Sequence, residues 1–435
     1  MRPDTYTKDS DGHIFVGGVA LSALAEQFGT PLYVMDYASI VRRMRAMREA
    51  VGPAGDAHYA AKAFCCQAVL ELAAQEGLGV DVVSGGELQT ARNAQVPMEQ
   101  LVFHGNVKTR AEIEAGLQAG VGYFVVDSLD ELNLLDVCAD KMQRIAPVLL
   151  RLTPGIDAHT HAYVKTGHFD SKFGFATEGG AAAVAVEKAL ALPSIRLAGY
   201  HAHIGSQILD PEPLIENARA LSRFSRTIFE QWGFWPSVLD VGGGFGVSYD
   251  QEPGLAPMDA LLPIRRVLED LTPPGQPVPR LIIEPGRSIV AEAGFTLYRV
   301  AALKTTPGGR QYAAVDGGMG DNIRPALYQA AYQAELDGKP VQTPEHVVTL
   351  AGRYCESGDI LIHNATLADP RVGDLVVVWA TGAYNYSMAS QYNRVPRPAV
   401  VAVHQGQYQT WVAGETWDDV LRKDQSLGGW VGDFN

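Results

Sequence analysis

The stretch Val238-Leu239-Asp240-Val241-Gly242-Gly243-Gly244 joins a short apolar run to three consecutive glycines. An apolar run of this length is typical of a buried β-strand. A glycine triplet after a strand forms either a tight turn or a loop whose backbone N–H groups are open to an anion. A second stretch has the same organisation, because the apolar run Leu281–Ile283 is followed by Glu284-Pro285-Gly286-Arg287.

Six further apolar runs precede these two along the chain. The eight candidate strands are His58–Ala61, Leu78–Val80, Leu101–Phe103, Tyr123–Val126, Val148–Leu152, Leu197–His201, Val238–Val241 and Leu281–Glu284. Each of the first seven is followed by a segment long enough for a helix and a return, so the sequence predicts a (β/α)8 barrel. An open doubly wound sheet is the alternative, and it is disfavoured because no G-x-G-x-x-G follows the first strand.

Helix-start signals support this alternation of strands and helices. A hydroxyl residue followed three positions later by glutamate has capping-box spacing, and a proline is favoured at the first helical position. The signals are Ser84 with Glu87, Thr109 with Glu112, Ser128 with Glu131, and Asp210 followed by Pro211.

Side chains that carry chemistry fall at the carboxyl ends of the predicted strands, where barrel enzymes have their active sites. The residues at or within two positions of a strand end are Lys62, Asp81, His104, Asp127, Arg151, His203, Gly242 and Glu284. The usual barrel phosphate site lies after strands 7 and 8. In this chain those loops are Gly242-Gly243-Gly244 and Pro285-Gly286-Arg287.

The pattern changes after about Gly294, where short β-rich runs are punctuated by glycine and proline. These runs predict an antiparallel β domain. They are Phe295–Leu303, Gln311–Val315, His346–Leu350, Leu375–Trp379 and Ala399–Val403. We therefore expect an N-terminal segment, residues 1–27, that packs with the β domain, a barrel over residues 28–293, and the β domain over residues 294–435.

Composition narrows the classes of function. The formal net charge is -14, so binding to nucleic acid or to an anionic membrane surface is disfavoured. No apolar run approaches the ~20 residues of a membrane span, and residues 1–12 lack the apolar core of a signal peptide. The spacing of the 4 cysteines suggests neither a disulfide framework nor a zinc site. We expect a cytoplasmic protein without a metal.

Four of these segments together offer the groups that pyridoxal phosphate needs. Its aldehyde requires a lysine amine, its ring a flat stacking face, its ring nitrogen an anion, and its phosphate open backbone N–H groups. The segments are Tyr59-Ala60-Ala61-Lys62, His203-Ile204-Gly205-Ser206, Gly242-Gly243-Gly244 and Glu284-Pro285-Gly286-Arg287. Singly, each also has an ordinary structural explanation: a solvated lysine, a core histidine, a tight turn or a surface ion pair.

The surroundings of Lys62 distinguish it from a solvated lysine. Alanines and Phe64 flank it in an apolar stretch, where a lone ammonium group is costly. We expect this burial to lower the pKa of Lys62 and to favour its nucleophilic amine.

The order of these motifs resembles the fold-type III pyridoxal-phosphate decarboxylases of basic amino acids, from roughly Thr30 to Arg397. The motifs are the four segments above together with Ser171-Lys172-Phe173-Gly174, Cys355-Glu356-Ser357-Gly358-Asp359 and Gly382-Ala383-Tyr384. The resemblance implies an alanine-racemase-like barrel with a C-terminal β domain. It is strongest to the branch that decarboxylates meso-2,6-diaminopimelate to L-lysine and CO2, the last step of lysine biosynthesis.

The resemblance also implies roles for individual residues. Lys62 would bind the cofactor covalently, His203 would stack on its ring, and Glu284 would pair with the ring nitrogen. The residues implied for the phosphate are Ser206, Gly243, Gly244, Gly286, Arg287 and Tyr384. Asp81 and Ser84 match a stretch of the family near the lysine and receive no firm role.

At the substrate, Arg287, Arg324 and Tyr328 resemble a clamp on the distal carboxylate, and Tyr384 lies beside it. Arg324 and Tyr328 are four residues apart and would share a face of a helix. Cys355 and Glu356 resemble a loop donated by the partner subunit of a homodimer, with Cys355 near the reacting carbon and Glu356 at the substrate amine. Either Cys355 or Lys62 would return a proton after CO2 leaves.

Three alternatives share part of this pattern. A sister decarboxylase for ornithine, lysine or carboxynorspermidine would share every cofactor residue, but a substrate without a distal carboxylate has no use for Arg324. An alanine racemase would need a tyrosine base where this chain resembles the Cys355 loop. A pyridoxal-phosphate carrier without catalysis lacks a large β domain.

Overall fold

The structure, a computed structural model, describes residues 2–156, 172–249 and 252–428. Its first elements form a small antiparallel sheet, which is followed by one helix and by a strand of a larger sheet. These elements are β1 (Thr7–Lys8), β2 (Ile14–Val16), β3 (Val19–Ala20), α1 (Leu21–Phe28) and β4 (Leu32–Asp36).

Eight parallel strands then close into a barrel, in which the fourth and fifth strands pair and complete the ring. They are β5 (Gly55–Ala60), β6 (Gly79–Val82), β7 (Leu101–Phe103), β8 (Tyr123–Val126), β9 (Ala146–Thr153), β11 (Ile195–His201), β12 (Val238–Asp240) and β13 (Arg280–Ile283); the short strand β10 (Phe175–Ala176) pairs beside β9. The predicted (β/α)8 barrel is confirmed, and all eight predicted strands overlap an observed one.

Helices follow or precede these strands around the barrel. They are α2 (Tyr37–Val51), α3 (Gln67–Gln75), α4 (Gly85–Asn93), α5 (Arg110–Ala119), α6 (Leu129–Lys141), α7 (Ala181–Ala191), α8 (Glu212–Trp232), α9 (Pro257–Leu271) and α10 (Arg287–Val290). The predicted starts of α4, α5 and α6 are confirmed, because Ser84, Thr109 and Ser128 each accept a hydrogen bond from the backbone three residues later. No helix of the described residues is long and apolar enough to cross a membrane.

The interior of the barrel is layered. An apolar cluster takes one residue from each of six strands: Val102, Val125, Leu149, Ala198, Val238 and Ile282. Two positions after the cluster residue, five of these six segments have a buried polar residue: His104, Asp127, Arg151, Asp240 and Glu284. Because alternate residues of a strand share a face, this polar layer lies directly above the apolar one, at the carboxyl end of the barrel.

The second domain is a mixed sheet rather than the antiparallel one that was predicted. Its elements are β14 (Gly294–Thr305), β15 (Gln311–Val315), α11 (Arg324–Tyr328), β16 (Ala334–Leu336), β17 (Glu345–Ala351), β18 (Ile360–Ala368), β19 (Leu375–Val378), β20 (Ala399–His404), β21 (Gln407–Val412) and α12 (Trp417–Leu421). Two of its pairings are parallel, β15 with β17 and β20 with β4. The parallel partner β4 precedes the barrel in sequence, so no local pattern near residue 400 could reveal it.

Strand β4 belongs to the second sheet. The predicted range 28–293 includes Leu32–Asp36, which pairs with β14 and β20 in the second sheet. Around this strand, Ile14 and Leu21 of the N-terminal segment share an apolar cluster with Phe295 and Trp379. The N-terminal segment therefore packs against the second sheet.

A buried ion pair holds one loop at the mouth of the barrel. Lys108 Nζ lies 2.7 Å from Glu131 Oε1 and also donates to the carbonyls of Gly105 and Val125. Its side chain is 1% exposed, and that of Glu131 is 5% exposed. Removal of one partner would leave the other charge buried without a counter-ion.

We expect Glu131→Ala to lower the free energy of unfolding by about 3–5 kcal/mol, the cost of breaking a buried pair. The matched control is Glu114→Ala, which removes the exposed Arg110–Glu114 pair at 3.9 Å and should cost at most about 0.5 kcal/mol. Urea unfolding followed by circular dichroism measures both. Equal effects of the two substitutions would contradict the importance of the buried pair.

Candidate active site

A cavity of about 420 Å³ opens at the carboxyl ends of the barrel strands. This volume is within the range of small-molecule sites, about 300–1,000 Å³. Eight of the predicted site residues line it: Lys62, His203, Ser206, Glu284, Arg287, Arg324, Tyr328 and Tyr384. Because Arg324, Tyr328 and Tyr384 follow β14, the cavity takes walls from both domains.

Lys62 lies on a short 3₁₀ turn, Ala61–Ala63, directly after β5. Its side chain is 37% exposed, and its Nζ lies 3.6 Å from Oδ2 of the fully buried Asp81. Burial lowers the pKa of Lys62, but the charges of Asp81, Tyr384 and Glu284 outweigh it, so the pKa is raised overall. The expectation of a lowered pKa was wrong. It did not include the charge of Asp81, which lies 19 residues later in the chain and reaches Lys62 from the neighbouring strand.

Glu284 lies between two histidines. Its carboxylate contacts His104 Nε2 on one oxygen, and its other oxygen lies 3.4 Å from His201 Nε2. Burial would raise the pKa of Glu284, but the two imidazoles outweigh this and hold the pKa well below its usual range. Glu284 is therefore an anion at the base of the cavity.

The pKa of a second carboxyl group, beside Glu284, is shifted in the opposite direction. Burial and the charge of Glu284 raise the pKa of Asp240 well above its usual range, while Asp240 Oδ1 accepts the N–H of Gly242 at 2.8 Å. Burial also lowers the pKa of His201 to about 3. One negative charge is thus concentrated on Glu284, beside the uncharged imidazole of His201 and the Asp240 carboxyl, whose pKa is raised.

His203 is positioned by the glycine loop. Its Nδ1 accepts the N–H of Gly243 at 3.2 Å, and burial, aided by the charges of Lys62 and Arg151, lowers the pKa of His203 well below its usual value. The imidazole is therefore an uncharged flat surface in the cavity. The same N–H of Gly243 was predicted to bind phosphate, and here it orients His203.

The glycine loop leaves no room for side chains. A Cβ on Gly243 would lie 2.1 Å from the carbonyl oxygen of Glu284, and one on Gly244 would lie 2.6 Å from the carbonyl oxygen of Gly205. Gly244 also has a φ of +101°, which L side chains rarely adopt. Glycine is required here because the backbones of neighbouring strand ends meet at van der Waals distance.

Two guanidinium groups lie at one end of the cavity. Arg287 Nη2 donates to Ser206 Oγ at 2.8 Å, and its Cζ lies 4.8 Å from the ring centroid of Tyr384. Arg324, on α11, has its Cζ 5.8 Å from the ring of Tyr328, as expected for residues one helical turn apart. Among residues 2–156, 172–249 and 252–428, no carboxylate forms an ion pair with either arginine, so this end of the cavity favours an anion.

Cys355 and Glu356 do not line the cavity of their own chain. Both are exposed, in the connection between β17 and β18. The N–H of Cys355 donates to Asn393 Oδ1 at 3.3 Å, and Glu356 accepts the hydroxyl of Tyr392.

The motif at residues 171–174 lies only partly within the described structure. Ser171 is outside the described residues, and Lys172 is exposed. Phe173 lines the cavity with Arg151, whose Cζ lies 4.3 Å from the Phe173 ring. The N–H of Gly174 donates to Asp127 Oδ2 at 2.9 Å.

Sequence reasoning gave no role to several residues that shape the site. His201 and Asp240 face Glu284, and both lie in predicted strands, so their position was visible but their partner was not. Tyr249 contacts both arginines, with Arg287 Nη1 at 2.9 Å and Arg324 Nη1 at 3.2 Å. Its only signal was its place in the loop after the glycine triplet.

These groups fit pyridoxal phosphate. The cavity has an amine at Lys62, an ionised carboxylate at Glu284 and an uncharged flat ring at His203. Arginine and closely packed glycine loops lie at the ends of β12 and β13, where barrels hold phosphate. A parallel barrel with a lysine after its first strand and an acid after its last is the architecture of the pyridoxal-phosphate-dependent decarboxylases with an alanine-racemase-like fold.

Comparison with known proteins agrees with this class. Residues 37–291 match the family model of the pyridoxal-binding domain of pyridoxal-dependent decarboxylases. The chain is 46% identical to the diaminopimelate decarboxylase of Bacillus subtilis over 97% of each chain, and 46% identical to that of Halalkalibacterium halodurans over 96% of each. The crystal structure of diaminopimelate decarboxylase from M. jannaschii in complex with L-lysine is similar with a TM-score of 0.91, at 35% identity over 98% of this chain and 99% of that one.

The chain belongs to the diaminopimelate decarboxylase family. Its cofactor is pyridoxal 5'-phosphate.

We expect Gly243→Ala to weaken cofactor binding by about tenfold or more, because overpacking a close-packed site costs about 1–3 kcal/mol. Visible absorbance during titration of the cofactor-free protein with pyridoxal phosphate measures this. Gly308→Ala is the matched control, since a Cβ at Gly308 meets nothing within 4 Å. Unchanged affinity in Gly243→Ala would show that the loop tolerates a side chain and does not shape the cofactor site.

Proposed function

We propose that this chain decarboxylates meso-2,6-diaminopimelate to L-lysine and CO2, the last step of lysine biosynthesis. The observation that carries the proposal is the pair of buried guanidinium groups, Arg287 and Arg324, at one end of the cavity. Diaminopimelate has a carboxylate at each end, so one can be lost while the arginines hold the other. The names of the relatives support the same substrate.

The roles of the cofactor-binding residues are part of this proposal. Lys62 would bind the cofactor through its aldehyde, His203 would pack on its ring, and Glu284 would hold the proton of its ring nitrogen. Ser206, Gly244, Gly286, Arg287 and Tyr384 would hold its phosphate, and Gly243, whose N–H donates to His203, would shape the loop around that phosphate. When bound, pyridoxal phosphate supplies an electron sink for the pair left at Cα after CO2 departs.

Asp81 controls the proton on Lys62. A nucleophilic lysine must be uncharged, yet its raised pKa makes it an ammonium group at pH 7. Burial raises the pKa of Asp81, and its Oδ2 lies 3.6 Å from Lys62 Nζ. Asp81 would accept the proton that Lys62 gives up and return that proton to Lys62 afterwards.

The substrate is held by its unreactive end. Arg287, Arg324 and Tyr328 bind the distal carboxylate, with Tyr384 beside them, and this fixes which carboxylate stands at the reacting end. Charge-assisted contacts at the far end of a substrate convert binding into orientation of the bond to be broken. The competing substrates are ornithine, lysine and carboxynorspermidine. None of them has a carboxylate at its unreactive end, so none can use the two arginines as diaminopimelate does.

Cys355 and Glu356 act in the cavity of a partner subunit. Both side chains are exposed in their own chain, and the stacked rings of Tyr354 and Tyr392, 5.9 Å apart, hold their loop at the surface. In a homodimer, Cys355 returns a proton to the reacting carbon, with Lys62 as the other donor, and Glu356 binds the substrate amine. All four cysteines are unpaired, which supports a reducing cytoplasmic compartment.

The substrate assignment predicts a specific activity profile. Purified holoenzyme should release CO2 from meso-diaminopimelate at a kcat/KM at least about 100-fold above that for L-lysine, D-lysine or L-ornithine. The loss of a buried charged contact corresponds to a discrimination of this size. Preferred release of CO2 from ornithine or lysine would assign a sister decarboxylase. Racemisation without CO2 release would reject decarboxylation altogether.

The assignment of Lys62 predicts the site of covalent labelling. Holoenzyme should absorb visible light, and reduction with borohydride should fix the cofactor on Lys62, identified by peptide mass spectrometry. Lys62→Ala is the control and should bind cofactor only reversibly. A label on Lys172 or Lys165 would contradict the assignment; the latter lies outside the described residues.

The shared site predicts that two inactive variants restore each other. When Lys62→Ala and Cys355→Ala are mixed and their subunits exchange, one site of a mixed dimer carries both changes and the other carries neither. Random pairing makes half of the dimers mixed, so activity should approach roughly a quarter of wild type.

Each variant is also assayed alone, and Glu356→Ala is mixed with Lys62→Ala in parallel, because loss of a proton donor can leave residual activity in Cys355→Ala. Subunit exchange is verified with differently tagged chains. No recovery in spite of proven exchange would place Cys355 in the site of its own chain, or outside the site.

A further inference from the structure

The two arginines at the end of the cavity come from different domains. Arg287 begins α10 after the last barrel strand, and Arg324 begins α11 in the second domain. Each side chain is 7% exposed. Two like charges buried close together repel each other, so a third group is needed to hold them at a fixed separation.

The hydroxyl of Tyr249 is that third group. It accepts a hydrogen bond from Arg287 Nη1 at 2.9 Å and another from Arg324 Nη1 at 3.2 Å. A phenolic oxygen can accept both bonds through its two lone pairs. The Tyr249 ring also faces both cations, with the Cζ atoms of Arg287 and Arg324 at 5.9 and 5.6 Å from its centroid.

The charge of the two arginines acts back on this hydroxyl. Burial raises the pKa of Tyr249, but the charges of Arg287 and Arg324 outweigh it and lower the pKa overall. The two cations thus favour the ionised form of the Tyr249 hydroxyl, which can only accept hydrogen bonds. Tyr249 does not line the cavity itself, so it acts through the arginines.

Further hydrogen bonds fix the two ends of this bridge. Arg287 Nη2 donates to Ser206 Oγ at 2.8 Å, at the end of a barrel strand. Arg324 Nη1 donates to Tyr332 OH at 2.8 Å, which in turn donates to Asn385 Oδ1 at 3.1 Å. Tyr249 bonds to both arginines, one from each domain. It therefore determines the separation of the two cations across the domain boundary.

We propose that Tyr249 is a positioning residue that sets the spacing of Arg287 and Arg324 and so tunes the site for a substrate with a carboxylate at its far end. This inference rests on the proposed function, because it takes the arginines to bind that carboxylate. Without the bridge, Arg324 keeps its contact with Tyr332 but loses its tie to the barrel. Part of the free energy of substrate binding would then be used to bring the two arginines into position.

The test is Tyr249→Phe in the holoenzyme, because phenylalanine keeps the ring and removes only the hydroxyl. KM for meso-diaminopimelate should rise about tenfold, the effect of one hydrogen bond to a charged group, while kcat changes less than about twofold. Cofactor absorbance and thermal midpoint should not change. Tyr312→Phe is the matched control, since its hydroxyl contacts the exposed Arg310.

A double-mutant cycle separates positioning of Arg324 from a general structural role. In an Arg324→Lys background, Tyr249→Phe should raise KM by less than about twofold, because the bridge is already broken. Equal effects in both backgrounds, or an unchanged KM in Tyr249→Phe, would overturn the proposal. A joint loss of kcat, cofactor absorbance and thermal stability would show that Tyr249 is structural and would also overturn it.

Wild-type protein assayed in parallel distinguishes the two levels of inference. If wild type releases CO2 from meso-diaminopimelate and Tyr249→Phe behaves like wild type, only the positioning role is rejected. If wild type itself releases no CO2 from meso-diaminopimelate, the proposed function is rejected, and the role of Tyr249 falls with it.

Discussion

The carboxylate of Glu284 lies between two imidazoles at the mouth of the barrel, and most of the site is arranged around its charge. An isolated carboxylate in such a place is costly to bury. Here His104 and His201 contact its two oxygens, and burial together with the charge of Glu284 raises the pKa of Asp240 beside it. The barrel thereby maintains one negative charge, on Glu284, at its carboxyl end.

The layers of the barrel provide the support for that charge. The apolar cluster beneath it excludes water. Alternate residues of a strand share a face, so the residue two positions further along lies directly above that cluster. The second domain then adds the groups that the barrel lacks. Tyr384 donates its N–H to the Ala63 carbonyl at 2.7 Å, next to Lys62, and Arg324 brings a second cation opposite Arg287. The barrel thus carries Lys62, His203 and Glu284, and each domain contributes one arginine to the cavity.

Much of this could be predicted because the signals are local. Apolar runs gave the eight barrel strands, and strand ends gave Lys62, His203 and Glu284. Strand β21 was missed because most of its residues are exposed, and β18 because polar residues interrupt its apolar ones. Strand β4 was missed because its partners lie beyond the barrel in sequence. The raised pKa of Lys62 and the bridge at Tyr249 both depend on contacts between distant segments, which no spacing in the sequence reveals.

The charge state of the two neighbouring carboxyls tests this account most directly. In protein freed of cofactor, ¹³C NMR of labelled aspartate and glutamate carboxyls, assigned with Asp240→Asn and Glu284→Gln, gives the ionisation of each group as the pH is varied. We expect Glu284 to titrate below its usual range and Asp240 above its own, and we expect Glu284→Gln to lower the pKa of Asp240 by removing the adjacent charge. A protonated Glu284 at pH 7, or an Asp240 that titrates in its usual range beside an intact Glu284, would contradict it.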